Sequence, residues 1–231
     1  LTEAEVSGAL LCLDVTSSIV DEAVEKGCNL IVSHHPLIFR PLKRVVGADD
    51  VQRAVAKAIK HDITILSMHT NMDNAQGGVN FKMAEKMQLT GVKFFTEKQV
   101  DGITCGSGVM GELPGAMAAD DFIMMLKREF DVECVQCNQL LRRPIRTVAI
   151  CGGAGSFLLP EAIAAGADAF VTGEMHYHDY FAHEQEIQIA VIGHYQSEQY
   201  TYEIFKSIIE EQCEGVRCVV TSQNTNPIIY L

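Results

Sequence analysis

The chain has 231 residues, a formal net charge of -12 and 48% apolar residues. That length suffices for one large or two small domains with a buried core and no disulfides, and the acidic balance argues against non-specific nucleic-acid or membrane binding. No apolar run is long enough for a membrane span, and the cysteines are scattered. We therefore expect a soluble, cytoplasmic protein.

The first predicted unit is a strand, helix and strand between Gly8 and Phe39. Continuous apolar runs predict strands at 9–13 and 29–33, and the segment 20–26 predicts a helix that Gly27 ends. Two strands joined by a helix normally form a parallel sheet that is buried on both faces. An amphipathic helix at 50–60, capped by Asp49 or Asp50, and a strand at 63–68 extend this pattern.

The glycine-rich segment 99–115 interrupts the alternation and predicts a hairpin. A helix at 120–130 and an extended segment at 132–136 follow. The alternation of strands and helices then resumes, with predicted strands at 147–151, 169–172, 188–192 and 216–220 and helices ending at Ala165 and spanning 198–212.

A weak internal repeat relates the two ends of the chain. The segment from Glu22 to Ser33 aligns with that from Glu161 to Thr172, and both His69 and His194 are followed four residues later by an acid. We therefore predict an α/β fold of two similar halves with mainly parallel sheets and a metal site at the strand ends between them. The predicted organisation is residues 1–95 for the first half, 96–140 for a connection and 141–231 for the second half.

Polar side chains collect directly after the predicted strands. In open parallel sheets the carboxyl ends of the strands converge on one crevice, where ligands bind. Imidazoles mixed with carboxylates suit Zn, Fe, Mn, Co or Ni, and the number of candidates favours two ions over one. The segments concerned are Ser33-His34-His35, His69 to Asp73, Gly173-Glu174 and His194 to Glu198.

Seven motifs resemble the YbgI-type dinuclear metal-binding family, the NIF-three-like proteins often called GTP cyclohydrolase type two homologues. They occur in order along nearly the whole chain, which makes the resemblance specific. The motifs are LCLDVT (11–16), VSHHPLIF (32–39), SMHTNMDNAQGGVN (67–80), GSGVMGELP (106–114), VAICGGAGS (148–156), TGEMHYHD (172–179) and GHYQSE (193–198).

The resemblance implies a set of five metal ligands and two further pocket histidines, His69 and His178, whereas relatives often have Lys at the position of His176. It also implies a ring-shaped homohexamer, and longer members carry an extra domain near residues 90–105. Because the chain begins at Leu1 without Met, we expect a missing N-terminal segment. Because the extra domain is absent, we expect a short form or a missing insert. The implied ligands of two divalent ions are His34, His35, Asp73, His194 and Glu198, and the candidate proton-transfer residues are His69, His176 and His178.

Two functions from different classes fit these residues. A metal-dependent hydrolase of a small substrate, such as a nucleotide-like one, would use two ions to activate water. A non-catalytic metal-binding or regulatory scaffold would use the same ions structurally. The glycine loop 152–156 is interpreted as a tight turn because it lacks the Lys-Ser/Thr of a phosphate-binding loop, and Cys134 and Cys137 lack the second cysteine pair of a zinc site.

Overall fold

A computed structural model describes residues 5–231, which form two compact units. The first unit comprises the chain up to Met72 together with Thr201–Ile228, and the second comprises Asp73–Tyr200 with Ile229–Leu231. The first unit therefore takes up a C-terminal segment that the repeat assigns to the second half. The two units are defined by contacts between residues, whereas the predicted halves are defined by a sequence repeat. The halves therefore stay a prediction.

The first unit is built on a parallel four-stranded sheet. The strand order is β12-β1-β2-β3, and all three pairings are parallel. Its strands are β1 (Ala9–Cys12), β2 (Leu30–Ser33), β3 (Thr64–Ser67) and β12 (Cys218–Val220). Its helices are α1 (Ser17–Glu25), α2 (Asp50–Lys60) and α8 (Thr201–Gln212), and the short α3 (Thr70–Asp73) leads out of the unit.

Local capping explains where two of these helices begin. The Thr16 side chain accepts a hydrogen bond from the Ile19 amide at the start of α1, and Asp49 accepts one from the Gln52 amide at the start of α2. Such side chains satisfy backbone amides that have no partner within the helix. The core between sheet and helices contains the fully buried Leu10, Ile19 and Ile31.

The second unit contains a mixed six-stranded sheet and a separate two-stranded hairpin. The order of the large sheet is β4-β7-β9-β10-β11-β8, in which only the β9–β10 and β10–β11 pairs are parallel. The strands are β4 (Thr90–Phe94), β5 (Glu97–Val100), β6 (Ile103–Gly106), β7 (Val109–Met117), β8 (Gln136–Cys137), β9 (Ile145–Cys151), β10 (Ala169–Thr172) and β11 (Gln188–Val191). The helices are α4 (Val79–Lys86), α5 (Ala119–Glu129), α6 (Leu159–Ala164) and α7 (His194–Glu198), with 3-10 turns at Ser156–Leu158 and Tyr177–Tyr180.

The α/β prediction is confirmed, with corrections in detail. The sequence patterns do not predict α4 or β4, because buried Asn80 breaks the apolar stripe of the helix and the strand is largely exposed. The predicted helix at 198–212 is two helices, and the first begins at His194. No helix within residues 5–231 is both long and apolar enough to cross a membrane.

Candidate metal centre

Three histidines of the first unit gather at the carboxyl edge of its sheet. His34 and His35 directly follow β2, and His69 follows the neighbouring β3. The three ring centroids lie 4.9, 5.2 and 5.3 Å apart, and one ring nitrogen from each lies within 4.8 Å of the others. Parallel pairing of the two strands therefore produces the cluster.

Hydrogen bonds fix the rings of His34 and His35. The His34 Nδ1 lies 3.0 Å from the Met68 carbonyl oxygen, and the His35 Nδ1 lies 2.7 Å from Asp14 Oδ1. A carbonyl oxygen only accepts hydrogen bonds, so Nδ1 of His34 donates in this contact, and in the neutral ring Nε2 carries the lone pair. Metal-binding histidines are typically held in this way, with the second nitrogen donating to a carbonyl or carboxylate.

The second unit presents a histidine and a carboxylate from one short helix. His194 and Glu198 stand one turn apart on α7, with 3.1 Å between Nε2 and Oε2. That separation suits two ligand atoms of one ion, each with a bond of about 2.1 Å. On its other side, the His194 Nδ1 lies 2.8 Å from Glu174 Oε1.

Electrostatics in the second unit favour a cation. The hydrogen bond to Glu198 raises the pKa of His194 against the opposing effect of burial, and the charges of Glu198 and Glu174 add to the rise. Burial, followed by the charges of Asp73 and Glu198, raises the pKa of the Cys151 thiol to about 12. The Asp73 and Glu198 carboxylates thus act on the same buried thiol, and a divalent ion would offset their negative charge.

Three amides of the glycine loop 152–156 donate hydrogen bonds to side chains of the second unit. The amides of Gly152, Gly153 and Gly155 donate to Asn80 Oδ1, Ser197 Oγ and Thr172 Oγ1, respectively. These bonds support the interpretation of this loop as a tight structural turn. At Gly153, with φ +60°, an added Cβ would lie 2.3 Å from Glu198 Oε1, so the close approach of this carboxylate requires glycine.

The remaining histidines differ in their surroundings. His69 lies in the first-unit cluster, whereas His176 and His178 are exposed at the 3-10 turn after β10 and belong to no metal-ligand group found within residues 5–231. His183 pairs with Glu186 at 2.7 Å, and His61 ends helix α2.

Two carboxylates contact candidate ligand histidines: Asp14, to which the sequence analysis gives no role, and Glu174, which it places among the polar residues at strand ends without a specific role. Asp14 orients His35, and Glu174 contacts His194. Both follow strands, β1 and β10 respectively, at the same sheet edges as the histidines. The position directly after a strand is therefore the sequence feature that could identify such residues. The sequence does not distinguish a carboxylate that binds a metal from one that orients a neighbouring histidine.

The sequence matches known proteins along nearly its whole length. Residues 1–227 match the family model described as Duf34/NIF3 (NGG1p interacting factor 3). A Clostridium perfringens protein named GTP cyclohydrolase 1 type 2 homolog is 30% identical, over 99% of this chain and 88% of the relative. The alignment with a Halalkalibacterium halodurans protein of the same name spans 334 positions, so that relative has residues within the aligned region that this chain lacks.

Solved structures share the fold. The Staphylococcus aureus hypothetical protein SA1388 superposes with a TM-score of 0.90 at 28% identity, covering 99% of this chain and 89% of its own. The protein ybgI, described as of unknown function, superposes with a TM-score of 0.82 at 18% identity, covering 98% and 87% of the two chains. The second likeness is evidence for the fold alone.

Proposed function

This chain belongs to the Duf34/NIF3 family, and from that premise we propose that it binds two divalent metal ions and hydrolyses a small, nucleotide-like substrate. The observation that carries the proposal is the orientation of two imidazole rings in the first unit. The Nδ1 atoms of His34 and His35 contact a backbone carbonyl and a carboxylate, respectively. The proposed ligands are His34, His35, Asp73, His194 and Glu198.

The chemistry of the donors fits such ions. Imidazole nitrogen and carboxylate oxygen together suit Zn, Fe, Mn, Co or Ni, while an all-oxygen set would suit Mg or Ca. The first unit supplies imidazoles and the second supplies carboxylates with His194. In the second unit, a bound ion would also offset the negative charge of Glu198, which is only 3% exposed.

Different side chains would orient the metal ligands and transfer protons during hydrolysis. When bound, a pair of divalent ions lowers the pKa of a water molecule and polarises a carbonyl or phosphoryl oxygen. Asp14 keeps the His35 ring oriented, and Glu174 does the same for His194. Among the proton-transfer candidates His69, His176 and His178, we favour His69, since its ring lies 5.2 and 5.3 Å from the His34 and His35 rings.

A non-catalytic metal scaffold is the second candidate. Structural metal sites are closed by protein ligands, whereas catalytic sites keep a position for water or substrate. His34 is 0% exposed and Glu198 is 3% exposed, which favours closed coordination at these two residues. The two candidates therefore differ in whether solvent exchanges at the ions.

Two properties of the protein in the cell belong to the same proposal. We place it in a reducing, cytoplasmic compartment, because all eight cysteines are free thiols, several of them buried.

We also propose a homohexamer, which the family resemblance implies. Light scattering during gel filtration measures the mass, and a monomeric mass would contradict the hexamer.

Metal analysis beside a matched variant tests the proposal. We expect two equivalents of metal per wild-type chain and less than one in a His35→Ala, Glu198→Ala variant. The control is His183→Ala, Glu186→Ala, which removes a histidine and carboxylate pair of the same chemistry elsewhere and should keep two equivalents. Metal-dependent turnover of phosphoester or cyclic-amide substrates supports the hydrolase, and wild type without metal would contradict both candidates.

A further inference from the structure

A surface cavity of about 570 Å³ lies at one edge of the large sheet in the second unit. It borders β8, the last strand of that sheet, and the 3-10 turn Tyr177–Tyr180. None of the five proposed metal ligands lines it. The cavity has the size of typical small-molecule sites, and its lining includes Gln136, Cys137, Gln139, Tyr177, Tyr180, Phe181 and Glu184.

Aromatic rings form one wall of this cavity and are exposed. Tyr177 is 74% exposed and Phe181 is 54% exposed, although such side chains are usually buried. Their ring centroids lie 5.3 Å apart at 70°, and the His178 ring stacks on Phe181 at 5.9 Å and 26°. The contacts hold the rings in a defined arrangement that presents flat apolar surface to a ligand.

The Tyr180 side chain lines the same cavity and carries a hydroxyl that a ligand reaches only when the neighbouring exposed rings move aside. Its oxygen is buried, and no group within residues 5–231 forms a hydrogen bond with it. Burial, then the nearby Cys137 and Asp179, raises the pKa of Tyr180 to about 12, so the hydroxyl stays protonated and available as a donor. A buried hydroxyl without a partner costs stability, and a bound acceptor removes that cost.

The polar residues of the rim narrow the class of ligand. Glu184 adds negative charge in a chain of net charge -12, which disfavours an anionic group here. The amides of Gln136 and Gln139 offer both donors and acceptors. We infer that this cavity binds an uncharged or cationic planar heteroaromatic ring, which stacks on Tyr177 and Phe181 and accepts a hydrogen bond from the Tyr180 hydroxyl.

Binding of simple ring compounds tests this inference on the full chain as purified. Nicotinamide and adenosine serve as probes in saturation-transfer NMR and calorimetry, and cyclohexanecarboxamide serves as the non-planar comparison. We expect a Kd of about 0.1–5 mM for at least one planar probe. We expect at least tenfold weaker binding of the cyclohexane compound, because it has no flat ring to stack.

Three variants separate stacking from the hydrogen bond. Tyr180→Phe keeps the ring and should raise the Kd about three- to tenfold. The double variant Tyr177→Ala, Phe181→Ala should raise it more than tenfold. Phe157→Ala removes another exposed ring of the second unit, 63% exposed and outside the cavity, and should leave the Kd unchanged.

Several results would overturn the inference. One is the absence of binding by both planar probes at concentrations above the expected Kd range. Another is an equal increase of the Kd in the Phe157 variant and the Tyr177/Phe181 variant. A third is self-association through this face, seen in sedimentation as assembly that the Tyr177/Phe181 variant abolishes. Because the probes need no metal, failure here leaves the metal stoichiometry of the proposed function as a separate result.

Discussion

The two units hold their histidines by different means. In the first unit, His34 and His35 follow a buried strand, and a backbone carbonyl and Asp14 fix their rings. In the second unit, His194 and Glu198 share a short helix, and Glu198 packs directly over Gly153. One arrangement depends on hydrogen bonds at a sheet edge, and the other depends on the close approach of the Glu198 side chain to the backbone of Gly153.

This difference determines which substitutions damage each unit. A substitution that changes the backbone conformation or enlarges a side chain should be most harmful in the second unit, where little space separates Glu198 from Gly153. A substitution that changes a hydrogen-bonding group should be most harmful in the first unit, where hydrogen bonds set the orientation of the His34 and His35 rings. The predictions below test that division, and they begin with the largest effect.

Gly153→Ala is expected to destabilise the protein most. The new Cβ would lie 2.3 Å from Glu198 Oε1, and the residue would keep a φ of +60° that side chains disfavour. The carboxylate must shift away from the new methyl group, and this displacement together with backbone strain should lower the free energy of unfolding by about 2 kcal/mol. Urea denaturation monitored by circular dichroism measures this loss.

Gly166→Ala is the matched control for that prediction. Gly166 also has positive φ, at +76°, but no atom lies within 4 Å of an added Cβ. Backbone strain alone should cost about 1 kcal/mol. Equal losses in the two variants would show that the approach of Glu198 to Gly153 has no energetic importance.

Asp14→Asn tests the role of ring orientation in the first unit. Loss of the carboxylate partner of His35 should weaken metal binding about 10- to 100-fold, as loss of such supporting groups does elsewhere. Titration with Zn²⁺ in a competing chelator measures the affinity. The same change in the second unit, Glu174→Gln, should have a smaller effect, because the Glu174 side chain is 57% exposed against 34% for Asp14.

Equal affinities of wild type and Asp14→Asn would contradict this role of Asp14. A larger loss in Glu174→Gln than in Asp14→Asn would reverse the proposed difference between the units. The free energy of unfolding of the metal-free variants should be measured in parallel, so that misfolding is distinguished from altered affinity.

Glu22 should make the stability of the first unit depend on pH. Burial raises its pKa, but hydrogen bonds from the Ser222 amide and the Thr221 and Ser222 hydroxyls outweigh burial and lower the pKa below its usual range. A lowered pKa in the folded state stabilises the protein above the unfolded-state pKa of about 4.3, and this contribution is lost as pH falls through the folded-state value.

Glu22→Gln should therefore cost about 1–2 kcal/mol at pH 7, and this cost should shrink as the pH falls below about 4.3. Urea denaturation at several pH values measures the difference. Glu25→Gln, at an exposed position of the same helix, is the control and should change stability by less than about 0.5 kcal/mol at any pH. A constant difference for Glu22→Gln across this range would contradict the assignment.

The sequence predicts the parallel elements of the fold best. β10 and α2 begin and end where apolar periodicity and capping residues predict. The mixed sheet order of the second unit was not predictable, because antiparallel pairing between distant strands leaves no local pattern. The prediction also missed α4, whose inward-facing Asn80 hydrogen-bonds the Gly152 amide, a contact 72 residues away.

The candidate site was predictable in its residue types but not in its supporting contacts. His34, His35 and His69 follow apolar strands, and that position predicted their cluster. The requirement for glycine at position 153 depends on the distance to Glu198, which only the folded structure gives. Asp14 and Glu174 likewise became recognisable as supporting residues only when their ring partners were located.

Anomalous diffraction from crystals grown with Zn²⁺ tests the central claim most directly. The account predicts two peaks per chain, with bonds of about 2.1 Å to Nε2 of His34, His35 and His194 and to carboxylate oxygen of Asp73 and Glu198. The Nδ1 atoms of His34 and His35 should keep their contacts with Met68 and Asp14. No ordered peak at these side chains, or ligation through Nδ1, would contradict the claim.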